Sequence, residues 1–127
     1  MASPISFRDL KVWQQAMQLA IDIFQLSNNL PSTAAGSHVI ASIQTASSEI
    51  PTRIAAGHKS GSRSVMLDEC SRAREAAGRL ESLLIITGQL YPNVPSNDLI
   101  DVISEVDTSL RTVIKRLSSP RSNRPVV

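Results

Sequence analysis

The stretch 66–91, MLDECSRAREAAGRLESLLIITGQLY, decides the fold. Met66, Cys70, Ala73, Ala77, Leu80, Leu84, Thr87 and Tyr91 recur alternately four and three residues apart. That spacing stacks them along one side of an α-helix, whereas a strand would scatter them over both faces. Ala73, Ala76, Ala77 and Gly78 keep the first half small, which lets a neighbouring helix approach closely. The second half, 80–90, is apolar on most sides and exceeds what one core requires.

Upstream, Ile40, Ile43, Ser47, Ile50 and Ile54 repeat the same rhythm, starting from a cap near Ser32 or Thr33. Pro51 falls inside this helix and removes the bond to the Ser47 carbonyl, which predicts a bend. Gly57 and the His58–Ser62 stretch end it. Further upstream, 8–26 is apolar around two-thirds of its circumference, by about 100° per residue. It opens at Ser6, with Asp9 in capping-box-like spacing, and stops at the Asn28-Asn29-Leu30-Pro31 break. Leu10, Trp13, Met17, Ile21 and Phe24 form one stripe, and Val12, Ala16, Leu19, Ile23 and Leu26 form another. One stripe suffices for a core, so the surplus points to a partner subunit. The second stripe is assigned to that contact; the sequence leaves the reverse assignment open.

Downstream, Pro92 and Pro95 frame a turn, and Ser96 or Asn97 can cap a last helix. That helix shows Leu99, Ile103, Val106, Leu110, Val113 and Leu117 on a single face. Helices of roughly 20–25 residues run about 30–38 Å, and short links make sequential helices antiparallel. The expected fold is all-α: an antiparallel up-down-up-down four-helix bundle spanning 1–117 as one domain. Residues 118–127, with Pro120 and Pro125, read as a basic, disordered tail.

The chain has 127 residues, 42% hydrophobic and 3% aromatic, which suits helix-on-helix packing of aliphatic side chains. No apolar run approaches a membrane span, and no signal peptide is legible, so a cytoplasmic protein is expected. The single cysteine, Cys70, excludes an internal disulfide and lies on the core stripe, where it reads as a small buried hydrophobe. Only His38 and His58 could offer imidazole ligands, and neither has carboxylates at metal-binding spacing. No glycine-rich phosphate loop follows a strand. No enzyme activity, metal, cofactor or small-molecule substrate is therefore expected.

The net charge is +2, but the cations are clustered. Arg53, His58, Lys59 and Arg63 gather around the second turn, and Arg111, Lys115, Arg116, Arg121 and Arg124 make the C-terminus basic. The two groups are expected at opposite ends of the bundle, and both are candidates for nucleic-acid phosphates. The simpler account of each is a solvated helix end, with cations suited to the helix dipole. On the third helix, Arg72, Glu75 and Arg79 are spaced for mutual pairing.

Phe7-Arg8-Asp9-Leu10-Lys11-Val12-Trp13, Ile50-Pro51-x-x-Ile54-Ala55-x-Gly57, Ala73-Arg74 and Leu80-Glu81-Ser82 form a recognisable set. In these the chain resembles the bacterial four helix bundle protein family, also called the 23S rRNA intervening-sequence protein or S23 family. It is more distantly similar to the accessory variability determinant of diversity-generating retroelements. Gln44-Thr45 replace the family's usual Arg pair, Arg53-Ile54-Ala55-Ala56-Gly57 replace Asn-Ile-Ala-Glu-Gly, Glu75-Ala76 replace a Gly-Ser pair, and Arg79 replaces a Glu. The resemblance implies a homopentameric ring with a basic surface. It also implies RNA or DNA as partner, or a nucleic-acid enzyme such as a reverse transcriptase. The subunit contact is expected at Val12, Leu19, Ile23, Leu26, Leu83 and Ile86. The competing expectation is a protein-binding scaffold whose charge is incidental.

Overall fold

A computed structural model describes residues 6–119. It contains a 3-10 turn, Phe7–Asp9, and four α-helices: α1 (Lys11–Ser27), α2 (Ala34–Lys59), α3 (Arg63–Leu90) and α4 (Asn97–Ser118). Each helix packs on its sequence neighbours, and α1 closes the bundle against α4. The backbones of α1 and α3, and of α2 and α4, lie diagonally and do not meet among the described residues. The fold is the expected antiparallel four-helix bundle.

The helix boundaries follow local chemistry. Ser6 does begin the first element, but its hydroxyl oxygen accepts from the Arg8 amide at 3.2 Å and closes a 3-10 turn. Leu10 is then extended, and α1 starts only at Lys11. Thr33 caps α2 by accepting from the Gly36 amide at 3.0 Å. The helix runs through the buried Pro51 and past Gly57 to Lys59, so the proline removes one bond without ending it. Gly61 makes the turn with φ of 68°, a conformation costly for other residues. Ser62 then caps α3, accepting from the Val65 amide at 3.3 Å.

Gly57 marks a close α2–α3 approach: a Cβ there would lie 3.0 Å from the Met66 Cα. Ala73, Ala76 and Ala77 are buried as the small-residue pattern predicts, while Gly78 faces open space. Ile43, Ile50, Ile54, Met66, Leu80, Leu84, Ile103, Val106 and Leu110 fill the centre.

The α1 stripes take the opposite assignment to the one expected. Val12, Leu19, Ile23 and Leu26 are buried within the single chain, Leu19 and Ile23 completely. They cannot form a subunit contact, because α2 and α4 already cover that face. Trp13 and Met17 are half-buried, and Ile21 and Phe24 are exposed at 44% and 43%. The outward stripe is the one containing Trp13, with only Leu10 of that set buried. Trp13 itself is held edge-on against Phe7, with ring centroids 5.3 Å apart.

Candidate nucleic-acid interface

Antiparallel topology places the starts of α1 and α3 and the ends of α2 and α4 at one end of the bundle. The expected separation of the two basic groups is therefore overturned. Arg63, at the start of α3, donates from Nε to the Leu117 carbonyl oxygen at 2.8 Å and reaches the Ser119 carbonyl at 3.3 Å. The second turn and the α4 C-terminus are neighbours, and their cations form one basic end.

The candidates differ in what they offer to a ligand. Arg63 is a C-cap for α4, where its charge also meets the negative end of the dipole. Arg53 bonds Glu49 at 3.3 Å and Glu69 at 3.1 Å, so its charge is locally neutralised. His58 is half-buried and Lys59 is exposed at the end of α2. Arg111, Lys115 and Arg116 are exposed and have no ion-pair partner among the described residues. Arg121 and Arg124 lie outside the described residues.

The topology adds two cations that spacing alone did not assign. Arg8 and Lys11, at the start of α1, are exposed at the same end, and neither has an ion-pair partner among the described residues. The Arg8 guanidinium lies 5.2 Å from the centre of the Phe7 ring. The antiparallel order of four helices was the signal that could have found both.

Acids near the basic end are partly consumed. Asp68 pairs with Arg72 at 2.9 Å, and Glu69 with Arg53. Arg79 turns to Glu49 of α2 at 3.1 Å rather than to Glu75, so the expected pairing within α3 does not form. Arg74 ties α3 to α4 through Asp107 at 2.7 Å.

The other end has the reverse character. Towards it lie Asp22, Glu81, Asp98, Asp101 and Glu105, with Arg79 two residues before Glu81, and 34–48 of α2 contain no Lys, Arg, Asp or Glu. Exposed apolar side chains flank that uncharged half of α2. Ile21 and Phe24 border a groove shared with Gln44. On α3, Leu83 is half-buried, and Ile86 and Leu90 are 48% and 55% exposed. Leu83 and Leu90 follow Glu69 at multiples of seven residues, and Ile86 follows Arg79 by seven. Glu69 and Arg79 both reach across to α2.

Cys70 is fully buried; burial, with the neighbouring Glu69 charge, pushes its thiol up to about 12. Such a thiol remains protonated and is a poor nucleophile. Among the described residues no cluster of His, Cys, Asp and Glu is placed to hold a metal. No described helix is long and apolar enough to cross a membrane.

These features define a helical bundle with cations gathered at one end and exposed apolar side chains towards the other. The model of the 23S rRNA-intervening sequence protein family matches residues 8–114, nearly the whole bundle. The chain belongs to that family. No curated protein and no solved structure matches it.

Proposed function

We propose that this protein is a non-enzymatic, cytoplasmic homo-oligomer that binds nucleic acid through its cationic end or acts as an accessory factor to a nucleic-acid enzyme such as a reverse transcriptase. One observation carries the reading: Arg8, Lys11, Lys59, Arg111, Lys115 and Arg116 converge on one end with no ion-pair partner among the described residues. Cations from three helices gathered at one end suit a phosphate backbone. The family description, which refers to an intervening sequence of 23S rRNA, supports RNA.

Assembly would use the uncharged face. Ile21, Phe24, Leu83, Ile86 and Leu90 beside the charge-free half of α2 are the kind of apolar surface that marks an interface. A ring of five copies, as the resemblance implies, would repeat the cationic end into a basic rim. The same face also favours a second reading, a protein-binding adaptor.

Fluorescence anisotropy with RNA and DNA oligonucleotides over a salt series tests the proposal. Affinity is expected to fall steeply with salt, log K declining by about 0.7–0.9 per phosphate neutralised for each tenfold rise in salt. Neutralising Lys59, Arg111, Lys115 and Arg116 to Gln should flatten that slope. Absence of binding at low salt would refute the nucleic-acid role and leave the adaptor.

A further inference from the structure

The seam between α1 and α4 opens into a groove of about 520 Å³ at the cationic end. Lys11 lines it from α1 and Arg116 from α4, and neither has an ion-pair partner among the described residues. Thr108, Ser109 and Thr112 supply the hydroxyls of the lining, and Asp9 adds a carboxylate.

The three hydroxyl protons are already committed inside the protein. Thr108 Oγ1 donates to the Ser104 carbonyl at 3.0 Å, and Thr112 Oγ1 donates to the Thr108 carbonyl at 3.1 Å. Ser109 Oγ donates to Gln15 Oε1 at 2.7 Å across the seam. A hydroxyl has one proton and two lone pairs, so with its proton turned this way each oxygen keeps accepting capacity towards the groove. Two cations beside oxygens with accepting capacity suit a ligand with negative charge and hydroxyl donors close together. A DNA backbone offers phosphate alone. Ribose beside a phosphate offers both, because its 2′-hydroxyl can donate.

We infer that this groove holds the ribose-phosphate backbone of single-stranded RNA, with Lys11 and Arg116 on the phosphate and the Thr108 and Thr112 oxygens accepting from 2′-hydroxyls. The inference rests on the nucleic-acid reading above and adds a preference for RNA over DNA. Thr108 and Thr112 are exposed, so valine at either position leaves the core untouched.

The test compares an oligouridylate with the matching oligodeoxyuridylate at one salt concentration. Wild type should bind the RNA about five- to twenty-five-fold more tightly, one or two hydrogen bonds being worth about fivefold each. Thr108→Val with Thr112→Val should narrow the gap until RNA affinity equals that for DNA. Lys11→Gln with Arg116→Gln should weaken both. Thermal melting of each variant separates these effects from misfolding. Equal wild-type affinity for the two oligomers, or a preference that survives the valine pair, would overturn the inference. Salt-dependent binding to both without preference would still uphold the broader nucleic-acid role, whereas no binding to either would refute both.

Discussion

Arg63, the first residue of α3, donates from Nε to the carbonyl oxygen of Leu117 at 2.8 Å, fastening one helix start to the last turn of α4. Two basic segments far apart in the chain thereby share one end of the molecule. The contact also separates structural cations from available ones, which the first prediction uses.

Arg63→Ala should destabilise the fold by about 1–2 kcal/mol, since carbonyls at the end of α4 lose a charged donor. Nucleic-acid affinity of the folded protein should change far less than in Arg116→Ala. Urea denaturation and anisotropy on the same samples check both effects. A greater loss of affinity for the Arg63 variant would make it a ligand contact.

Ile23→Glu and Phe24→Glu, adjacent in sequence, should fail differently. Ile23 is completely buried, so a carboxylate there is an unpaired charge in the core and the chain should not fold. Phe24 is 43% exposed, so its variant should keep a native circular dichroism spectrum. Light scattering should show Phe24→Glu, and likewise Ile86→Glu, at monomer mass against an oligomeric wild type. Charged variants that stay assembled would place the contact elsewhere.

Glu49 bridges Arg53 and Arg79, at 3.3 Å and 3.1 Å. Glu49→Gln should cost little stability, because partly exposed ion pairs contribute about 0–1 kcal/mol. It should also release positive charge on the α2–α3 face and raise nucleic-acid affinity at low salt. An affinity unchanged across the salt series would exclude that face from the electrostatic footprint.

Cys70 should resist thiol reagents at neutral pH until the protein unfolds. Its thiol is raised from the ordinary 9.0 to about 12 by burial. The folded state therefore holds a proton that the unfolded chain releases at lower pH. The associated stability is fully present below pH 9 and is lost as pH rises towards 12. Denaturation across that window, with Cys70→Ala beside wild type, should show a shallower decline for the variant. Rapid labelling of native protein would contradict the burial.

The helices and the class of fold were written in the sequence, because a 3.6-residue period and turn chemistry are local properties. Met66 through Leu84 on one face of α3, Thr33 as a cap and the turn within His58–Ser62 needed no knowledge of neighbours, whereas Ser62 as the cap of α3 was not read from the sequence. The start of α1 was less legible: Ser6 signalled a beginning, but whether a 3-10 turn or a longer helix followed depended on how Phe7 and Trp13 packed.

What tertiary structure alone decided was which apolar stripe and which cations remain at the surface. Both stripes of α1 have helical spacing, so periodicity could not rank them; the positions of α2 and α4 buried Val12, Leu19, Ile23 and Leu26. Arg53, Arg63 and Lys59 look alike as charges near one turn. Only folding brings Glu69 to the first and the end of α4 to the second, leaving Lys59 exposed. Lys11 and Arg116 likewise meet across one groove only because antiparallel packing returns α4 to the start of α1.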